Sequence, residues 1–169
     1  PGHKVVAPSR RLSGTIRVPG DKSISHRVAM LAGLAGGEST IEGFLAADDC
    51  LNTLRAVGEL GASFSREGDR IRIRGAGGRF REPGGMLDMG NSGTGIRLLS
   101  GLLAGHPFSS QLTGDASLRS RPMKRIQSPL ELMGAKVDLT GERGCAPIRI
   151  RGGNLKGIEY PLPVASAQV

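Results

Sequence analysis

Three short segments set hydroxyl, amide and cationic side chains beside glycine, each at a place where a helix should begin. Gly20-Asp21-Lys22-Ser23-Ile24-Ser25-His26-Arg27 puts a lysine and two serines at one such start, with an arginine one turn in. Ser23 and Arg27 are four residues apart and so share a helix face. Gly90-Asn91-Ser92-Gly93-Thr94-Gly95-Ile96-Arg97 repeats the plan with more glycine. In Gly114-Asp115-Ala116-Ser117-Leu118-Arg119-Ser120-Arg121-Pro122-Met123, Arg121 precedes a proline suited to the first turn of another helix. Free N–H groups and the positive end of the helix dipole make such starts anion sites. One glycine-rich start alone is as readily a tight turn. Two, each with a matching arginine, point to a ligand. Neither segment fits G-x-x-x-x-G-K-[ST] or G-x-G-x-x-G, so a nucleotide loop is not supported. His26 is the nearest histidine and stays unassigned, because a lone helix histidine is more often structural. With no nucleophile motif and no paired carboxylates, the residues suggest cradles for one compact, highly charged anion or a pair of them.

The elements that must position these groups repeat along the chain. Each glycine-rich start is followed by a β-like stretch, 39–44 or 108–113, then an acidic residue, Asp48 or Asp115, then a second helix pattern. Leu51, Leu54, Val57 and Leu60 mark one second helix, and Ile126, Leu130 and Met133 the other. Pro129 should kink or shorten the latter. The helices end alike at Leu60-Gly61-Ala62 and Met133-Gly134-Ala135, and strand pairs follow at 63–66 with 71–74 and at 136–140 with 148–151. The offset is 70 residues from Arg27 to Arg97 and 73 from Gly61 to Gly134. Two βαβαββ-like units of an α/β fold are expected, about 21–90 and 91–160. A third begins at Ala165-Ser166-Ala167-Gln168-Val169 and stops, so the chain reads as a fragment.

Composition narrows the function classes. At roughly 150 residues per domain, 169 residues allow one domain or one large fragment. Glycine, at 27 residues, far exceeds a usual share of ~7% and speaks for many tight turns. Four Phe, one Tyr and no Trp leave little to stack bases. Lys and Arg total 23 against 15 Asp and Glu, a net +8 that suits nucleic acid, a membrane surface or a small anion. Arg70, Arg72 and Arg74 alternate with Ile71 and Ile73, and Arg149 and Arg151 with Ile148 and Ile150. Period two marks strands with one wet face, so these arginines read as solvated. The remaining cations that matter sit beside glycine and hydroxyl residues at helix starts, a pattern suited to a compact anion rather than a polymer. No stretch nears the ~20 apolar residues of a membrane span. Pro1-Gly2-His3-Lys4 opens without an apolar signal core, and Cys50 and Cys145 form no metal or redox spacing. A soluble, cytoplasmic α/β protein is expected.

The Asp21–Arg27, Gly90–Arg97, Gly114–Met123 and Ala165–Val169 motifs, in this order and spacing, resemble the EPSP synthase family, 3-phosphoshikimate 1-carboxyvinyltransferases of the shikimate pathway. The match runs from about Leu12 to the last residue. It implies the enolpyruvyl transferase (inside-out α/β barrel) fold, of two domains with three βαβαββ units each. This chain would supply two units of the first domain. Residues 1–20 would hold a strand that joins the other domain, and 21–169 an incomplete first domain. The implied reaction moves the enolpyruvyl group of phosphoenolpyruvate to the 5-hydroxyl of shikimate 3-phosphate and releases phosphate. Aromatic amino acid biosynthesis would be its setting, with no cofactor and no metal. Nucleic acid and membrane are not implied as partners, glyphosate is the implied inhibitor, and the full-length enzyme would be a monomer.

Carried over by motif, Lys22 would be catalytic, touching both substrates. Ser23, Arg27, Ser166 and Gln168 would hold shikimate 3-phosphate, and Gly93, Arg121 and Gln168 phosphoenolpyruvate. Asn91, Thr94 and Arg97 would line or brace that pocket. Many relatives carry a second serine where Ala167 stands, so only the Ala167 N–H could hold a phosphate oxygen. The base and further cations lie in the family's other half, so the fragment alone should be inactive. The sister UDP-N-acetylglucosamine enolpyruvyl transferase would have asparagine after the lysine and a cysteine in the loop before the arginine-proline step. Here Ser23 follows Lys22, and 114–121 holds no cysteine. A basic RNA-binding repeat protein is the alternative from another class. Its affinity would fall steeply with salt.

Overall fold

Asp21 starts the first helix, α1 (Lys22–Leu34), by accepting the Ile24 N–H on Oδ1 at 2.7 Å. This is the side-chain cap that short polar residues provide. The computed structural model describes residues 3–5, 7–8, 11–162 and 165–169. After α1 come β1 (Glu38–Ile41), α2 (Asp48–Glu59), β2 (Ser63–Glu67) and β3 (Arg70–Arg74). Then follow β4 (Leu87–Asp88), α3 (Gly93–Ala104), β5 (Ser109–Thr113), α4 (Lys124–Met133), β6 (Lys136–Leu139) and β7 (Ile148–Arg151). A single 3-10 turn, Leu118–Ser120, stands between β5 and α4.

The strands form two sheets. One has the order β1-β3-β2, antiparallel throughout. The other has the order β4-β5-β7-β6, with β4 parallel to β5 and the other pairs antiparallel. The order β1-β3-β2 thus reappears as β5-β7-β6. Period-two alternation sets the two faces: Ile71, Ile73, Ile148 and Ile150 are fully buried, while the arginines between them are exposed. Arg70 pairs with Glu42 at 2.5 Å and Arg74 with Glu38 at 3.7 Å, contacts worth about 0–1 kcal/mol at a wet surface. Those arginines are solvated, as their spacing implies. Leu54, Val57, Ile96, Leu99 and Leu103 of the helices, with Leu60 just past the end of α2, pack with these isoleucines in one buried cluster.

Two expectations need correction. Pro122 does not open the fourth helix, which starts at Lys124; Pro122 instead bridges to Cys145. Pro129 does not shorten α4, which runs to Met133 and stops at Gly134, with φ of 111°. Proline removes one backbone hydrogen bond there, but its ring is buried on the same face as Ile126 and Leu130. Among the described residues before α1 there is no strand, and Val5, Leu12, Ile16 and Val18 are exposed; the strand expected there is one that joins another domain. Pro1, Gly2, Val6, Ser9 and Arg10, also in the expected strand, lie outside the described residues. Among the described residues, no helix is long and apolar enough to cross a membrane.

Candidate functional site

The start of α1 carries Lys22, Ser23 and Arg27 on exposed or half-buried positions, while Ser25 and His26 point into the core. Lys22 Nζ forms an ion pair with Asp49 in the first turn of α2. The Lys22 carbonyl accepts the Cys50 S–H at 3.7 Å, so α2 grips this residue by side chain and backbone. Arg27 turns back over its own helix and donates to the Ser23 carbonyl at 3.1 Å. Its other terminal nitrogen donates to the Ala167 carbonyl at 3.0 Å.

The start of α3 is capped by Ser92, whose Oγ accepts the Gly95 N–H at 2.9 Å. One turn in, Arg97 is only 9% exposed. It donates to Gly93 O at 3.2 Å, Gln168 Oε1 at 3.1 Å and Pro122 O at 3.3 Å, and its Nε is buried without a partner. Arg121 arrives from the loop before α4. It donates to both the backbone and the side-chain oxygen of Asn91, and to Ser117 Oγ at 3.2 Å. A Cβ on Gly93 would lie 3.0 Å from both Arg121 Nη1 and Arg97 Nη1. The glycine therefore lets two guanidinium groups approach one backbone turn.

The turn at 166–168 joins the two starts. Ser166 Oγ accepts the Gln168 N–H at 3.2 Å, and Gln168 Nε2 donates to Thr94 Oγ1 at 3.1 Å. Arg27 holds this turn from α1 and Arg97 holds it from α3. The structure thus gathers Ser23, Arg27, Asn91, Gly93, Thr94, Arg97, Arg121, Ser166, Ala167 and Gln168 into one hydrogen-bonded neighbourhood. Lys22 joins through α1 and its bond to α2 rather than by direct contact with the other cations.

The charge balance is uneven. Among the described residues, no carboxylate forms an ion pair with Arg27, Arg97 or Arg121; their partners are carbonyl, amide and hydroxyl oxygens. Burial foremost, then the charges of Arg125 and Arg121, push the ionisation of Arg97 below its ordinary range. Crowded, partly desolvated cations of this kind are relieved by an anion placed among them.

Sequence reasoning left unassigned or missed the groups that hold these residues, and the structural reading of His26 is the one its contacts bear out. Buried His26 links three helices: Nδ1 meets Thr53 Oγ1 of α2 at 2.7 Å, and Nε2 meets Ser92 Oγ at 3.3 Å. Burial lowers its pKa from the usual 6.5, so it is a neutral brace near pH 7. Asp49, unlike the neighbouring Asp48, has no part in the sequence reading; it stands in the first turn of α2, where an acid suits the helix dipole. Its pairing with Lys22 spans 27 residues and has no local signal.

The family model for EPSP synthase (3-phosphoshikimate 1-carboxyvinyltransferase) matches residues 6–169. A 3-phosphoshikimate 1-carboxyvinyltransferase of Methylococcus capsulatus is 56% identical over 166 residues, covering 96% of this chain and 38% of the relative. That of Shouchella clausii is 51% identical over 159 residues, covering 94% of this chain and 37% of the relative. Among solved structures, EPSP synthase from Acinetobacter baumannii superposes with a TM-score of 0.87 at 49% identity, over 92% of this chain and 36% of that one. The chain therefore spans less than two-fifths of the length of these relatives.

Proposed function

The chain belongs to the EPSP synthase family, and from that premise we propose that it forms part of an enzyme joining phosphoenolpyruvate to shikimate 3-phosphate. The reaction moves the enolpyruvyl group to the 5-hydroxyl and releases phosphate. The observation that carries the reading is the set of arginines at and between two helix starts, Arg27, Arg97 and Arg121, with no carboxylate among the described residues in an ion pair with them. Both substrates are phosphorylated, and phosphoenolpyruvate adds a carboxylate, so their charges answer that surplus.

In this reading Arg27, Ser23, Ser166 and the Ala167 N–H hold shikimate 3-phosphate. Arg121 holds phosphoenolpyruvate against the Gly93 turn, with Asn91, Thr94 and Arg97 bracing it. Gln168 stands between the two substrates. Lys22 touches both substrates and stabilises the charge that shifts between them as the tetrahedral intermediate forms and expels phosphate. The base and the remaining cations belong to the part of the relatives' length that this chain does not span. The residues alone are therefore proposed to be inactive. The shared strand orders β1-β3-β2 and β5-β7-β6 support two units, about 21–90 and 91–160, of the enolpyruvyl transferase fold, with a third opening at 165–169. A strand over 1–20 that reaches the other domain, a cytoplasmic setting and a monomeric whole enzyme complete the proposal.

Gly93 supplies a test on the phosphoenolpyruvate side. Glyphosate resembles that substrate but is longer by about one bond. A methyl at position 93 would press on Arg97 and Arg121, both held by further hydrogen bonds, and overpacking of this kind costs about 1–3 kcal/mol. The longer molecule has less room to yield. In an enzyme of full family length carrying this sequence, Gly93→Ala should raise the inhibition constant of glyphosate by a larger factor than the KM for phosphoenolpyruvate. Steady-state inhibition kinetics measures both. Equal factors would refute discrimination by length at this position.

A further inference from the structure

Arg121 is held by neutral oxygens, and the orientation of one of them depends on a residue outside the cradle. Asn91 donates its Nδ2–H to Asp115 Oδ2 at 2.8 Å, which turns its Oδ1 toward Arg121 Nη2. The other oxygen, Asp115 Oδ1, accepts the Leu118 N–H at 2.8 Å. The Asp115 N–H donates to the Gly90 carbonyl at 2.9 Å. Asp115 therefore stitches the loop after β4 to the turn that carries Arg121. The two loops come this close because residue 114 is glycine: a Cβ there would stand 2.2 Å from the Gly90 carbonyl oxygen. The Leu118 N–H, and after it the Asn91 amide, hold the Asp115 carboxyl below the usual carboxylate range. It is a fixed acceptor throughout the neutral range.

The geometry points to Asp115 as a positioning residue that acts through Asn91 to aim Arg121 at the anionic head of phosphoenolpyruvate. This inference rests on the functional reading above. A carboxylate in direct contact with Arg121 would neutralise the cation and compete with the substrate. One amide away, it orients the guanidinium and interacts with its charge at a distance, without an ion pair that would block the substrate. With Asp115 in place only one face of the Asn91 amide can meet Arg121. Without it the amide can rotate and present N–H to a cation.

Asp115→Asn tests this, because asparagine keeps an oxygen for the Leu118 N–H while confronting the Asn91 N–H with an uncharged amide. In an enzyme of full family length carrying this sequence, the KM for phosphoenolpyruvate should rise about tenfold or more, as for loss of a charge-assisted contact. The affinity for shikimate 3-phosphate, read by calorimetry, and the Tm should stay near wild type. Repeating the change in an Asn91→Ala background separates positioning from general structure. There Asp115→Asn should add nothing further to the KM. An unchanged KM in the single variant would overturn the proposal, as would additive effects in the double variant or equal weakening of both substrates. Failure of the wild-type enzyme to use phosphoenolpyruvate would instead remove the functional reading, and this inference with it.

Discussion

Lys22→Met, in an enzyme of full family length carrying this sequence, should lower kcat about 10²- to 10³-fold, the loss typical of deleting one preorganised charge from a reacting centre. Methionine keeps the length and flexibility of the side chain and removes only the ammonium. The cap of α1 does not involve Lys22, since Asp21 supplies it. The lysine side chain is 52% exposed, and surface changes of this kind usually alter stability by no more than about 0.5 kcal/mol. The fold should survive, and the loss should appear in turnover. Phosphate release at saturating substrates measures it, with thermal unfolding as the control. A kcat close to wild type would remove Lys22 from the chemistry. A collapsed Tm would show that its bond to Asp49 serves the fold instead.

Arg27→Ala should weaken shikimate 3-phosphate binding roughly 10- to 150-fold, since hydrogen bonds to charged groups are worth about 1.5–3 kcal/mol. The guanidinium meets two carbonyl oxygens, Ser23 O and Ala167 O, and neither cancels its charge. A phosphate entering between α1 and the 166–168 turn would find that charge free. Titration calorimetry with shikimate 3-phosphate reads the effect directly. The KM for phosphoenolpyruvate should change much less, because the contacts on that side come from Arg97 and Arg121. Unchanged affinity for shikimate 3-phosphate would refute the role.

Much of this architecture is local enough to read without coordinates. Period two in 70–74 and 148–151 marks strands, and the buried isoleucines obey it. The cap of α1 and the stop at Gly134 are equally local. What escapes is whatever depends on partners distant in the chain. Pro129 reads as a helix breaker because propensity counts its missing N–H and cannot see that its ring is buried. Around the site, the cations were legible and their supports were not. Lys22, Arg27, Gly93, Arg97 and Arg121 stand in recognisable motifs. Asp49 and Asp115 are ordinary acids until the fold sets one against Lys22 and the other, through Asn91, beside Arg121.

The central claim is that these cradles serve shikimate 3-phosphate and phosphoenolpyruvate. Its most direct test is phosphate release by an enzyme of full family length carrying this sequence, supplied with phosphoenolpyruvate and one acceptor at a time. Release with shikimate 3-phosphate, and none with UDP-N-acetylglucosamine, is the expected result. Release with the nucleotide sugar instead, or with neither acceptor, would contradict it.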